Sequence, residues 1–289
     1  MPKIFQKLTG LAIPEPLREI PEPPQTLFYQ GQIFKTDENF LTVVGSRRMS
    51  HYGREVCEKL IAGLQNYPIT IVSGLALGID TVAHQSALRA KLRTIAFPGS
   101  GLDQSVLYPR SNLKLAEEII ETGGLLISEL APTQKATPYT FPRRNRLMAG
   151  LSKATLIIEA SQKSGTLITA RLALDYNREV LAVPGAITWP NSFGPNYLIR
   201  EGAIPITSSV DILQVFGFEP ENSDQQLKLI PEDLSTDELK ILKLIQAGET
   251  NIDQMIIDSK LSAPVVNTIL MLLEIKGLIS NKNGIISLT

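Results

Sequence analysis

The chain has 289 residues, enough for a full-sized core and a small second module, and its 43% hydrophobic and 20% charged residues fall within ordinary globular usage. A net charge of −1 provides no bulk attraction for nucleic acid, so any such site must come from local clustering. One cysteine, Cys57, excludes an internal disulfide framework, and nothing approaches the roughly 18 consecutive apolar residues of a membrane span or a signal peptide, so the expectation is a soluble cytoplasmic protein.

Residues 1–37 carry Pro14, Pro16, Pro21, Pro23 and Pro24. Proline removes backbone donors and resists helix, so this segment is predicted to be an extended lead-in, packed on the next domain through Leu27, Phe28 and Tyr29. Residues 38–218 alternate short apolar runs with helical patterns. The runs are Leu41–Val44, Ile69–Val72, Thr94–Phe97, Leu125–Ile127, Leu156–Ile158 and Val180–Val183. They are apolar throughout, as strands buried on both faces of a parallel sheet must be. Helical periodicity lies between them, at Tyr52–Leu64, Ile79–Leu88 and Leu167–Tyr176. Repeated β-α order predicts an α/β fold, a Rossmann-like, doubly wound, mostly parallel sheet.

Residues 219–230 are polar and read as a linker. In residues 231–289, Ser235 caps a helix with Leu239, Leu242 and Ile245 on one face, and a short helix follows near Ile252–Ile257. Ser262 then caps a third helix whose apolar stripe is Val266, Ile269, Leu270 and Leu273. Asn283-Gly284 between apolar runs signals a hairpin. Three helices and a terminal hairpin predict a small winged-helix domain.

In an open α/β sheet, ligands sit beyond the carboxyl ends of the strands. Four loops there carry suitable residues. Gly45-Ser46-Arg47-Arg48 follows the first strand. Its serine and backbone N–H groups can hold a phosphate oxygen, and its arginines add forked donors; the competing reading is a plain turn with solvated arginines. Ser73-Gly74-Leu75-Ala76-Leu77-Gly78-Ile79-Asp80 follows the second strand. Gly74 permits close backbone approach, and Asp80 suits a helix N-terminus. Phe141-Pro142-Arg143-Arg144-Asn145-Arg146 is the densest basic cluster. Arginine for phosphate and an aromatic for stacking a splayed base are what single-strand binding uses, although Phe141 could equally be core. Lys163-Ser164-Gly165-Thr166 opens another helix and offers a second phosphate cradle.

Catalytic chemistry is hard to find. His51 and His84 read as structural or surface residues, and no His/Cys/Asp spacing suits a metal. There is no phosphate-binding P-loop and no Gly-x-Gly-x-x-Gly after the first strand. The reading is a non-enzymatic binder with no cofactor.

Gly45-Ser46-Arg47, Ser73-Gly74-Leu75-Ala76-x-Gly78-Ile79-Asp80, Phe141-Pro142-x-Arg144-Asn145-Arg146, Ser164-Gly165-Thr166-Leu167-Ile168-Thr169-Ala170 and Ala182-Val183-Pro184-Gly185 together resemble the bacterial DNA-processing protein A family (DprA/Smf), over roughly residues 14–218. The tail is similar to that family's C-terminal winged helix. The resemblance implies a homodimer that binds single-stranded DNA in a basic pocket and helps load the recombinase RecA during natural transformation. It makes Ser46, Arg47, Phe141, Arg143 and Arg144 the DNA contacts, with Gly45, Gly74, Gly165 and Thr166 shaping the loops. Two departures stand out: Leu77 replaces a usual arginine or lysine, and the helical domain that precedes this region in many members has no counterpart. The lysine-decarboxylase-like Rossmann group, which hydrolyses nucleoside monophosphates, is the alternative. It resembles this chain at Gly165-Thr166, but its glutamate position is Thr169 here. From residue 229 onward five lysines face eight carboxylates, and the third helix has no arginine, so this domain is expected to contact protein rather than read duplex DNA.

Overall fold

The computed structural model describes residues 5–34, 38–219, 234–246, 249–276, 278–282 and 285–288. The chain divides into two compact units, Met1–Pro220 and Glu221–Thr289.

The larger unit is built on a nine-stranded sheet. Its strands are β1 (Gln6–Thr9), β2 (Thr26–Gly31), β3 (Asn39–Val44), β4 (Ile69–Ser73), β5 (Thr94–Ala96), β6 (Leu125–Ser128), β7 (Ala154–Ile157), β8 (Glu179–Ala182) and β9 (Ile204–Pro205), in the order β1-β2-β6-β5-β4-β3-β7-β8-β9. Strands β3 to β9 pair in parallel. The proline-rich opening does more than pack against this sheet. Its β2 pairs antiparallel with β6, Tyr29 opposite Ile127, and β1 pairs antiparallel with β2. The prolines fall between these strands, around the short helix α1 (Glu15–Arg18), so they cost the ladder no donor.

The unbroken apolar character of the central strands follows from their two covered faces. Leu41, Val43, Ile71 and Leu156 face α2 (His51–Ala62) and α3 (Ile79–Arg89), among Leu60, Ile61, Val82 and Ala83. Their neighbours Val44, Val72 and Ile157 face the other way. They pack with Leu147 and Met148 of α5 (Thr140–Leu151) and Ala170 and Ala173 of α6 (Thr166–Asp175). Helix α4 (Leu113–Glu121) lies beside β5 and β6, α7 (Phe193–Arg200) contacts β8, and α8 (Ser209–Phe216) packs through Ile212, Leu213 and Phe216. After β6 the chain crosses the sheet to place β7 beside β3, so the connections diverge between β3 and β7 and leave a crevice at their carboxyl ends.

The smaller unit has α9 (Thr236–Gln246), α10 (Ile252–Ser259), α11 (Ala263–Ile275) and an antiparallel pair, β10 (Ile279–Lys282) with β11 (Ile285–Leu288). Ser235 and Glu238 exchange side-chain-to-backbone hydrogen bonds as a capping box. The predicted stripe of α11 is buried, with Ile241, Leu242, Ile245 and Met255 opposite; Ile241 takes the place expected for Leu239, which is half-buried. Asn283 and Gly284 and the linker residues 220–230 lie outside the described residues.

A candidate nucleic-acid interface

The crevice between β3 and β7 opens into a cleft of about 450 Å³, and all four predicted loops contribute to its lining. Gly45, Ser46, Arg47 and Arg48 come from the β3 end, Arg144, Asn145 and Met148 from α5, and Ser164, Gly165 and Thr166 from the start of α6. Ala76 and Asp80 enter from the loop after β4.

The β3 loop is pinned from two sides. The Ser46 carbonyl accepts from the Ile79 N–H at 3.2 Å, and Gly78 passes directly against it with φ +80°. A side chain at Gly78 would both strain the backbone and strike the Ser46 carbonyl. The Ser46 hydroxyl accepts from the Arg48 N–H at 3.1 Å, which fixes the turn. Further along, Ser50 caps α2 and donates N–H and O–H to the buried Glu159, which Asn191 also reaches at 3.2 Å. The side chains of Arg47 and Arg48 are left exposed at the cleft rim.

The cationic floor is Arg144, which is 7% exposed. It lies on Gly74, where a Cβ would overlap its guanidinium. So Gly74 serves the close approach expected of it, but what approaches is an arginine, which leaves the glycine beneath the cleft rather than on its wall. Asp80 lies 4.0 Å from Arg144 and accepts from the N–H groups of Gly74 at 3.1 Å and Ala76 at 3.4 Å. Burial pushes the Asp80 carboxyl up, opposed by Arg144 and those two donors. Burial lowers Arg144 to about 10, against the pull of Asp80 and with repulsion from Arg47 added, so it remains a cation at neutral pH. Arg144 Nη1 also contacts the Met148 sulfur at 3.1 Å, and its Nε has no partner among the described residues.

At the far wall, α6 begins without a side-chain cap. Ser164 Oγ accepts from the Thr166 N–H at 3.2 Å, and nothing lies within 4 Å of where a Gly165 side chain would stand. The Leu167 and Ile168 N–H groups donate to the Ser164 and Gly165 carbonyls at 3.2 and 3.1 Å, so this helix start brings the positive end of its dipole, rather than free N–H groups of its first turn, to the cleft, where it favours an anion.

The structure separates the predicted arginine cluster. Arg144 enters the cleft, whereas Arg143 and Arg146 turn to Glu129, at 3.3 and 2.6 Å. Lys163 is exposed and is not among the residues lining the cleft. Phe141 stands beside Arg47 rather than in the core. His84 is buried, bonded to Thr94 Oγ1 at 2.7 Å, and His51 is exposed beside Glu55. Sequence reasoning missed Ser161 and Asn191, which also line the cleft, and the partnership of Asp80 with Arg144. Asn191 follows a Trp-Pro step outside every glycine-rich loop, so no spacing marked it.

Known proteins resemble this chain in sequence and fold. The profile of the family described as DNA recombination-mediator protein A matches residues 8–217, and that of the DprA winged helix domain matches residues 225–284. Protein Smf of Escherichia coli K12 is 42% identical over 219 residues, 72% of this chain and 58% of its own length. DNA processing protein DprA of Streptococcus pneumoniae is 42% identical over 221 residues, 75% of this chain and 77% of its own. A crystal structure of the S. pneumoniae protein superposes with a TM-score of 0.69 at 40% identity, covering 74% of this chain and 75% of that one. A structure of DNA processing protein A from Helicobacter pylori, described for its single-stranded DNA binding mode, gives 0.64 at 30% identity, covering 73% and 96%.

Proposed function

Because the chain belongs to the DNA recombination-mediator protein A family, we propose that it binds single-stranded DNA in the β3–β7 cleft, protects it, and hands it to the RecA recombinase. We place this work in the cytoplasm, with the protein acting as a homodimer and performing no chemistry on the strand. The observation that carries the reading is the pairing of Arg47 and Arg144 with the positive end of α6 around one cleft. Two fixed cations and a helix N-terminus make a run of anion positions, which is what a sugar-phosphate backbone presents. A neutral protein thereby acquires a local basic groove.

The cleft offers little to hydrolysis. Among the described residues, Asp80 is its only lining carboxylate, and that group is engaged by Gly74, Ala76 and Arg144. Position 169 carries a buried threonine. The winged-helix unit is proposed as a protein-contact module. No lysine or arginine lies within α11, and Lys276 just after it donates to Glu238 at 2.9 Å.

Fluorescence anisotropy with labelled single-stranded and duplex oligonucleotides, at two salt concentrations, tests the proposal. The single strand is expected to bind in preference. Arg47→Ala and Arg144→Ala should each weaken binding whatever the sequence, and should lower the salt slope by about 0.7 for each phosphate no longer neutralised. Equal binding of duplex and single strand, or a salt slope indifferent to both substitutions, would refute it.

A further inference from the structure

On the β8 side of the crevice, the cleft is bounded by the loop between β8 and α7, residues 183–192. This loop is tightly held. The Gly185 N–H donates to Asn196 Oδ1 at 3.2 Å, and the Gly185 carbonyl accepts from Asn196 Nδ2 at 2.9 Å. The Tyr52 hydroxyl donates to the Pro184 carbonyl at 2.7 Å. Asn191 then clamps the loop to the cleft. Its Nδ2 donates to the Arg48 carbonyl at 3.0 Å and to Glu159 at 3.2 Å, and its carbonyl accepts from the Ala160 N–H at 2.8 Å.

Between these anchors stands Trp189, the chain's only tryptophan. Its N–H donates to the Ala186 carbonyl and its carbonyl accepts from the Ser192 N–H, both at 3.0 Å, so its backbone is fixed two residues from Asn191 in the cleft lining. A large indole ring is mostly buried in a folded protein, yet Trp189 is 47% exposed and its neighbour Ile187 94%. Tyr52 meets the indole at 5.6 Å between centroids and 68°, an edge-to-face contact that covers at most one of its faces. The exposed side chain of Arg48 belongs to the residue whose carbonyl Asn191 holds, so a cation and the ring share this end of the cleft. Glu159 adds no repulsion at the mouth, because it is 2% exposed and turned to Ser50 and Asn191. A rigid, half-exposed aromatic beside a cation has the parts of a single-strand platform: the cation takes a phosphate and the ring takes the face of a base.

Resting on the single-strand reading above, we propose that Trp189 is a stacking platform for a base of the strand as it passes Arg48 and leaves the cleft on its β8 side. The clamp at Asn191 carries this assignment, because it fastens the exposed ring to the cleft rather than leaving it as a separate surface patch. Stacking uses the ring face and no hydrogen-bonding edge, so the platform tolerates any base.

Because no other tryptophan is present, the intrinsic fluorescence of the full chain reports this contact directly. Oligothymidylate is expected to quench it on binding, and an abasic oligonucleotide of the same length is expected to leave it unchanged. By anisotropy, Trp189→Ala should weaken oligothymidylate binding about ten-fold, within the range for removing one stacked base. The salt slope and the affinity for the abasic strand should not move. Trp189→Phe keeps a stacking ring and should bind within about three-fold of the wild type, which separates loss of stacking from loss of the fold. Fluorescence indifferent to oligothymidylate, equal quenching by the abasic strand, or normal oligothymidylate binding by Trp189→Ala would each overturn the platform. Normal DNA binding by Trp189→Ala together with a lowered sedimentation coefficient would also overturn it, and would give the ring to a second copy of the chain. If the wild type fails to prefer single strand over duplex, the underlying reading falls as well; if it keeps that preference while Trp189 stays silent, only the platform falls.

Discussion

Replacing Arg144 with methionine tests the buried half of the cleft, because it removes the charge that faces Asp80 while keeping much of the volume. Asp80 is 5% exposed, so the substitution leaves a carboxylate inside the protein with its nearest cation gone. Removing one member of a buried pair costs about 3–5 kcal/mol. Two features place this site at the lower end. Asp80 keeps the Gly74 and Ala76 N–H groups at 3.1 and 3.4 Å, and the removed cation stood 4.0 Å away. A cost of about 3 kcal/mol at neutral pH follows. The cost must also depend on pH. Burial already holds the Asp80 carboxyl above its ordinary value, and Arg144 pulls it down. Without the arginine it rises further. A raised value in the folded state means that the folded chain keeps a proton which the unfolded chain releases. Stability is then fullest below the ordinary carboxylate range and falls as pH climbs through the raised value. Urea denaturation of the α/β unit is therefore expected to show a smaller deficit at pH 5 than at pH 7.5. Adding Asp80→Asn should recover about 2 kcal/mol at pH 7.5, because the amide oxygen can accept the same two N–H groups. The recovered double variant should still fail to bind single-stranded DNA. An Arg144→Met deficit that is independent of pH and unrelieved by Asp80→Asn would show that the cost lies in packing, and the argument from Asp80 would be wrong.

Gly74→Ala should fold and yet bind DNA at least ten-fold more weakly, since its Cβ occupies the Arg144 guanidinium position and drives the arginine from the cleft floor; unchanged affinity by anisotropy would refute this. His84 is lowered to about 3, by burial first and by Arg144 second. Its ring should stay neutral from pH 8 down to about 4.5 by NMR, with its stability contribution present above the ordinary histidine value and lost as pH falls toward 3; a midpoint near 6.5 would contradict the burial. Ending the chain at Pro220 should leave single-strand affinity within about two-fold, whereas a larger drop would assign DNA contacts to the winged-helix unit.

The strands of the parallel sheet are legible in the sequence because burial on both faces leaves no polar alternation to confuse them. Leu41 to Val44 and Leu156 to Ile158 are apolar whichever side each residue takes. The opening segment is less legible. Proline density suggests an extended lead-in, and nothing local indicates that Thr26–Gly31 will find Leu125–Ser128, a partner nearly one hundred residues away. Pairing at that separation is decided by the exposed edge of β6, which exists only once the sheet has formed. The loops of the cleft are legible as residue types, since glycine, serine and arginine at strand ends have few other uses. The neighbours that decide how each side chain is used are less so. Glu129 claims Arg143 and Arg146 from a separate loop, and no spacing reveals it.

This division of the arginines follows from helical geometry. Residues 143, 144 and 146 sit at steps of about 100° and 200° around α5, so they cannot all face one cleft. One of them must point across the sheet ends, and the others must look elsewhere. Arg146 is buried and still leaves Nε and Nη1 without partners among the described residues, so Glu129 satisfies only part of it. Arg144 reaches the cleft because Gly74 leaves it room and because Asp80 offsets part of its desolvation. The basic character of the cleft thus depends on a glycine and an acid that add no positive charge. A count of arginines in the sequence overstates the charge available in the cleft, and the arrangement of their neighbours corrects it: Arg47 at the rim and Arg144 on the floor line it, while the Glu129 pairs fasten α5 in the position that aims Arg144.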